Sequence, residues 1–212
     1  MRIGIDFDNT LVCYDQLFWT LARDAGVVDD SVAHQKDSVR DHLREQGLES
    51  VWTNLQGKAY GSRILEASPF PDVLNALTEF RQRGWEVCVI SHKTRSPIAG
   101  EDYDLHAAAR SWLSTHGIIA WSPNSSTHSA AFFELTKCEK LQRIADVGCD
   151  WFIDDLPELL TDPSFPQNVG RILFDPHRRN GPLPAGIRRL YAWRDAVSVL
   201  TSKAEPQCQL TT

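Results

Sequence analysis

Short runs of β-forming residues alternate with helical patterns along most of this 212-residue chain, and this alternation restricts the fold more than any other feature. It is typical of an α/β fold in which helices cover a mainly parallel sheet. The predicted strands are residues 2–7, 86–91, 118–121, 150–154 and 171–174. Amphipathic stretches that stop before Gly84, Gly117 and Gly148 predict the helices between them, since glycine commonly ends a helix.

The stretch from residue 12 to residue 67 breaks the alternation, because it carries helical patterns and no strand pattern. We predict that residues 13–67 form a small all-helical cap domain over one end of the sheet. The stiff sequence Ser68-Pro69-Phe70-Pro71 returns the chain to the core, which comprises residues 1–12 and 68–200. Residues 201–212 are polar and lack periodicity, so a flexible tail is predicted.

Composition excludes several classes of partner. Lys plus Arg number 22 against 28 Asp plus Glu, a net charge of −6, and a nucleic-acid partner is therefore not expected. No apolar run reaches the roughly 18 residues of a membrane helix. Met1 leads directly into the first predicted strand, so no signal peptide is expected, and the five scattered cysteines favour a reducing cytoplasm over a disulfide framework.

Two carboxylates follow the first predicted strand, in the sequence Asp6-Phe7-Asp8-Asn9-Thr10. Side chains two residues apart leave a strand in the same general direction, and ligands of open α/β sheets bind at the carboxyl ends of the strands. Asp, Asn and Thr also favour turns, so the sequence taken alone is equally typical of a turn that leaves the strand.

Further polar residues follow the other predicted strands and open one helix. The sequence Ser91-His92-Lys93 ends the second strand, Lys137 begins a helix, and Asp154-Asp155 ends a later strand. In this order the residues resemble the four motifs of the haloacid dehalogenase (HAD) superfamily, hydrolases that use an aspartate nucleophile. The resemblance covers about residues 1–176 and implies a Rossmann-like three-layer core.

The resemblance implies roles for the catalytic residues. Asp6 would attack phosphorus and form an aspartyl-phosphate, and Asp8 would protonate the leaving oxygen and later deprotonate water. Ser91 would donate a hydrogen bond to a phosphoryl oxygen. Lys137 would place positive charge beside the nucleophile, and Lys140, three residues on, is the alternative.

One Mg²⁺ is the cofactor that the resemblance implies. Its ligands would be Asp6, the backbone carbonyl of Asp8 and a carboxylate of the Asp154-Asp155 pair, in which we favour Asp155 as the direct ligand and Asp154 as its partner. Oxygen ligands and the lack of a histidine set favour Mg²⁺ over zinc. The candidate substrate-binding residues are Asn9, Thr10, His92 and Lys93.

Asp8 distinguishes branches of the family, since dehalogenases lack an acid at this position because no leaving oxygen needs a proton. The predicted function is therefore a Mg²⁺-dependent phosphomonoesterase for a small phosphate ester, with nucleotides and sugar phosphates as the favoured classes. The alternatives are a phosphatase for a polynucleotide end or a protein phosphoresidue, and a catalytically idle binding domain. The oligomeric state stays open.

The predicted cap would set the substrate. Phe18, Trp19 and Trp52 are interpreted as its own hydrophobic core. The residues that could instead face a substrate are Tyr14, Gln56, Lys58, Tyr60 and Arg63.

Overall fold

The computed structural model describes residues 1–118 and 131–202. Six parallel strands form one sheet in the order β5-β4-β1-β6-β7-β8. The strands are β1 (Arg2–Ile5), β4 (Glu86–His92), β5 (Ala131–Glu134), β6 (Trp151–Asp154), β7 (Gly170–Phe174) and β8 (Ile187–Leu190). The predicted fold class, a Rossmann-like α/β fold with a mainly parallel sheet, is confirmed.

Helices cover both faces of the sheet, as a parallel sheet requires. The helices are α1 (Asp15–Asp24), α2 (Lys36–Glu45), α3 (Glu49–Tyr60), α4 (Val73–Gln82), α5 (Leu105–Thr115), α6 (Lys137–Val147), α7 (Pro157–Leu160) and α8 (Ala196–Thr201). On one face, Cys88 and Ile90 of β4 pack with α6 and α7. On the other face, Val89 packs with α4, α5 and α8, because successive side chains of a strand point to opposite faces.

In the sequence, α1, α2 and α3 follow β1 and precede the other strands of the six-stranded sheet. We call residues 15–66 the helical segment. Phe18, Trp19 and Trp52 are buried and belong to the same hydrophobic cluster as the sheet residues Ile3 and Ile5. They are therefore packing residues, and they share one cluster with the sheet, while a core that belongs to a cap alone stays a prediction. The division of the chain into a core and a cap stays a prediction.

Three details of the strands differ from the sequence prediction. No strand was predicted at β5, residues Ala131–Glu134. Val12–Cys13 (β2) pairs with Ser68–Pro69 (β3) in a short antiparallel ladder, so the stretch predicted to lack strands has one at each border. The strand β8 was not predicted, because its central residues are two arginines. Arg188 lies over the Trp151 ring and Arg189 binds Asp175, and these contacts hold both arginines in the edge strand.

Some predictions fall on residues that the structure does not describe. Residues 119–121 of the predicted strand 118–121 are outside the described range, and Ile118 is buried without being in a strand. Most of the predicted tail, residues 203–212, is also outside it. Within the described ranges no helix is both long and apolar enough to cross a bilayer, and the four described cysteines are unpaired.

Candidate active site

The candidate site lies where three neighbouring parallel strands, β4, β1 and β6, end at the same edge of the sheet. Asp6 follows β1, and its amide donates to the carbonyl of Ile153 in β6, 2.9 Å away. Asp154 is the last residue of β6 and Asp155 follows it. Strand order therefore brings together acids that are almost 150 residues apart in the chain.

Asp6, Asp154 and Asp155 form an acidic cluster in which each residue offers a carboxylate oxygen within 4.8 Å of the others. Asp6 and Asp154 are buried, whereas Asp155 is half-buried and lines a cavity. Burial raises the pKa of Asp154 to about 7, and the charge of Asp6 adds to the effect. Burial and the charges of Asp154 and Asp6 raise the pKa of Asp155 well above its ordinary value.

Lys140 is the cation inside this cluster. Its Nζ donates to Asp6 Oδ1 and to Asp154 Oδ2, both at 2.6 Å, and its side chain is only 2% exposed. Burial opposes its charge, but the attraction of Asp154 and Asp6 outweighs burial and raises the pKa of Lys140. A buried ammonium between two carboxylates is the arrangement in which buried charge is tolerated.

The preference for Lys137 over Lys140 is wrong. The Lys137 side chain is 53% exposed, and its Nζ binds Asp162 at 2.6 Å. Because α6 connects two parallel strands, its first residue, Lys137, lies at the same edge of the sheet as the site. Helical side chains slant toward the N-terminus of their helix, so the Lys137 side chain passes beyond the ends of the strands. Lys140 lies one turn further along α6, and its side chain reaches back to Asp6.

Asp8 belongs to a second group of contacts beside the cluster. Lys93 Nζ donates to both of its carboxylate oxygens, at 2.9 and 2.7 Å, and the Tyr14 hydroxyl donates to Oδ1 at 2.6 Å. Although burial works in the opposite direction, Lys93 and Tyr14 hold the pKa of Asp8 below its ordinary value. Lys93, predicted to bind substrate, is thus in contact with Asp8.

Ser91 and Asn9 are two of the remaining predicted residues, and both lie at this edge of the sheet. Ser91 is buried two residues beyond Val89, which pairs with Ile5, so it lies level with the loop that carries Asp6 and Asp8. Asn9 has a left-handed backbone (φ 55°) and lines the cavity.

Thr10 and His92 do not line the cavity, and their assignment as substrate-binding residues stays a prediction. Thr10 is fully buried, and its carbonyl accepts from Trp193 Nε1. The His92 ring lies 2.9 Å from the carbonyl of Leu135, because His92 and the inward-facing Ser91 point to opposite sides of β4.

A cavity of about 350 Å³ opens from this edge of the sheet toward the helical segment. Ligand sites of small molecules have volumes from about 300 Å³ upward. Its wall includes Asn9, Asp155, Lys36, Arg40, Phe174 and His177.

Lys36 is the site residue that the sequence interpretation did not identify. It begins α2, and its Nζ donates to Asn9 Oδ1 at 3.0 Å. Twenty-seven residues separate the two partners, and no pattern in the sequence of α2 marks its first lysine as different from a solvated one.

We predict that Lys140→Met lowers the free energy of unfolding by about 3–5 kcal/mol at pH 8, because it leaves Asp6 and Asp154 buried without a cation. The loss becomes smaller at pH 5, below the raised pKa of Asp154, because a protonated Asp154 leaves less buried charge without a cation. Denaturant unfolding in metal-free buffer measures both values.

The matched variant is Lys137→Met, which leaves stability nearly unchanged because an exposed ion pair contributes little. Equal stabilities of the two variants would contradict the placement of Lys140.

No protein-family model and no curated protein sequence matches this chain. Among solved structures it is similar to a dehalogenase with an intermediate complex, at 11% identity over 95% of this chain and 97% of the other (TM-score 0.57). It is also similar to D,D-heptose 1,7-bisphosphate phosphatase from Burkholderia thailandensis, at 13% identity over 95% of this chain and 99% of the other (TM-score 0.52). A HAD phosphatase from Thermococcus onnurineus is similar at 11% identity over 96% of this chain and 99% of the other (TM-score 0.52). The chain therefore has the fold of HAD-superfamily hydrolases.

Proposed function

We propose that this chain is a Mg²⁺-dependent phosphomonoesterase that hydrolyses a small phosphorylated metabolite through an aspartyl-phosphate on Asp6. The observation that carries the proposal is the position of Asp6. One of its oxygens is held by Lys140, it lies within the acidic cluster, and a second acid, Asp8, follows two residues later. A nucleophilic carboxylate, an acid–base group and a cation site are the parts that this chemistry needs.

The donor set of the acidic cluster fits Mg²⁺. Carboxylate oxygens are the ligands that this hard cation prefers, and Lys140 alone would not offset the cluster when all three carboxylates are ionised. Asp154 already accepts hydrogen bonds at both oxygens, from Lys140 and from the amide of Leu156. Asp155 faces the cavity, so Asp6, Asp155 and the carbonyl of Asp8 are the proposed ligands. When bound, Mg²⁺ would supply positive charge against the repulsion between Asp6 and a phosphate dianion.

In the proposed reaction, Asp6 attacks phosphorus and the bond between phosphorus and the leaving oxygen breaks. Lys140 binds one oxygen of Asp6 and leaves the other oxygen for the attack. Asp8 delivers a proton to the leaving oxygen and later takes one from the water that attacks the phosphoenzyme. Lys93 and Tyr14 orient Asp8 and hold its pKa below the ordinary value, so Asp8 takes the proton that it delivers from solvent and returns to solvent the proton that it removes from water. Ser91 donates to a phosphoryl oxygen.

Asp8 also favours a phosphatase over a dehalogenase. A departing halide needs no proton, so an acid–base residue beside the nucleophile has no task in that reaction. The helical segment narrows the site to a cavity of small-molecule size, which favours a metabolite over a polynucleotide end or a protein phosphoresidue. The identity of the ester will come from a screen of phosphorylated metabolites.

We predict Mg²⁺-dependent hydrolysis of p-nitrophenyl phosphate and no halide release from 2-chloropropionate. Asp6→Asn lowers kcat by at least about a thousandfold, since it removes the nucleophile. Asp146→Asn, which changes an exposed acid of α6, is the control and retains activity.

Circular dichroism establishes that both variants are folded. Hydrolysis that persists in Asp6→Asn, or halide release by the unaltered protein, would contradict the proposal.

The response to Mg²⁺ should depend on pH. The pKa values of Asp154 and Asp155 are raised in the folded protein. Between about pH 4 and about pH 7 the folded protein therefore binds more protons than the unfolded chain does. Stability of the metal-free protein therefore falls as the pH rises through this window. Mg²⁺ requires ionised carboxylates, so it should raise Tm more at pH 8 than at pH 5.5.

Thermal unfolding with and without MgCl₂ measures this difference. Asp155→Asn should lose most of the increase in Tm, and Asp146→Asn should keep it. An increase that is equal at both pH values, or that survives in Asp155→Asn, would contradict the assigned metal site.

A further inference from the structure

We propose that Lys36 of the helical segment binds the phosphoryl group of the substrate as a dianion. The inference rests on the proposed function and adds to it that the site at the strand ends is incomplete without α2.

The position of Lys36 carries the first step of the argument. Its side chain is half-buried in the wall of the cavity that also exposes Asp155. Its Nζ lies 3.0 Å from Asn9 Oδ1, and Asn9 is the residue directly after Asp8. The ammonium of α2 is therefore at the mouth of the acidic cluster.

The backbone and the stem of Lys36 are both held in place. Its amide donates to Asp15 Oδ1 at 2.9 Å, and the other oxygen of Asp15 lies 3.0 Å from His177 Nε2. The ammonium is 5.8 Å from the ring centroid of Phe18 and 5.6 Å from that of Tyr60. A lysine fixed at both ends loses less conformational entropy when it binds an anion.

Lys36 differs from the other cations of the site in having no carboxylate partner among residues 1–118 and 131–202. Within these ranges no carboxylate lies within ion-pair distance of its Nζ. Lys140 binds Asp6 and Asp154, and Lys93 binds Asp8.

The other cations of the cavity wall are also paired. Arg40 binds Asp37 at 2.9 Å, Arg179 binds the other oxygen of Asp37, and His177 contacts Asp15. The Lys36 ammonium donates to Asn9 and interacts with Tyr60, and of its three N–H donors at least one is left for a further anion.

A phosphate monoester is the anion that fits this place. With Mg²⁺ and Lys140 offsetting the acidic cluster, a transferring phosphoryl group still brings two negative charges to the cavity end of the site. Lys36 supplies a point charge from the cavity wall and from the helical segment, whereas Lys140 belongs to α6 and is bound to Asp6 and Asp154. The leaving group would then extend along the cavity toward His177.

A structural role, in which Lys36 only orients Asn9, predicts a different result from a binding role. The test measures two affinities in Lys36→Met: that of inorganic phosphate in the presence of MgCl₂, and that of Mg²⁺ alone. We expect phosphate affinity to fall about tenfold to a hundredfold, the effect of losing a charged hydrogen bond. Mg²⁺ affinity should be unchanged or higher, because the variant removes a positive charge near the acids.

Two further variants complete the experiment. Lys36→Arg keeps the charge and should recover part of the phosphate affinity. Arg44→Met, which removes an exposed cation of the same helix, should behave as the unaltered protein. Thermal unfolding confirms that each variant is folded, and the methionine side chain retains the packing against Phe18 and Tyr60.

The outcomes separate the two proposals. If the unaltered protein hydrolyses esters and binds phosphate, but Lys36→Met binds phosphate equally well, the role of Lys36 is overturned and the proposed function stands. If Lys36→Met loses both phosphate and Mg²⁺ affinity, Lys36 has a structural role and the inference is likewise overturned. If the unaltered protein neither binds phosphate nor hydrolyses esters, both proposals fail.

Discussion

The contact of Lys140 with Asp6 and Asp154 is the interaction on which the rest of the site depends. Two carboxylates buried side by side repel each other and lose their hydration, so without a cation at least one would be protonated. The ammonium offsets the charge of the two acids and holds one oxygen of Asp6 in place. It also requires α6 to cross the sheet with Lys140 beneath the strand ends, and this crossing connects β5 to β6.

The helical segment turns this edge of the sheet into a cavity. Its buried side chains, such as Phe18 and Trp52, share one hydrophobic cluster with the sheet, and this apolar contact stabilises its position. The ion pairs of Asp15 with His177 and of Asp37 with Arg179 join it to the loop after β7. Such partly exposed pairs add little free energy, and their effect is to fix the distance across the cavity and the direction of Lys36.

Sequence patterns predicted what depends on short stretches of chain. The strands around Ile5, Ile90 and Ile153 are buried apolar runs, and the acids that follow them meet because parallel strands end at one edge. The patterns did not separate Lys137 from Lys140, since the two lie about one helical turn apart and only the height of the helix against the sheet decides between them. They also missed Lys36, β5 and β8, whose contacts are with partners distant in the chain.

The central claim is that Asp6 attacks phosphorus and that water then attacks the phosphorus of the phosphoenzyme. Multiple turnovers of p-nitrophenyl phosphate in ¹⁸O-labelled water, followed by mass spectrometry of the released phosphate and of the peptide that contains Asp6, test it most directly. The account predicts labelled phosphate and an unlabelled Asp6 carboxylate. Label in the Asp6 carboxylate, with unlabelled phosphate, would show that water attacks the carboxyl carbon of the aspartyl-phosphate and would contradict the account.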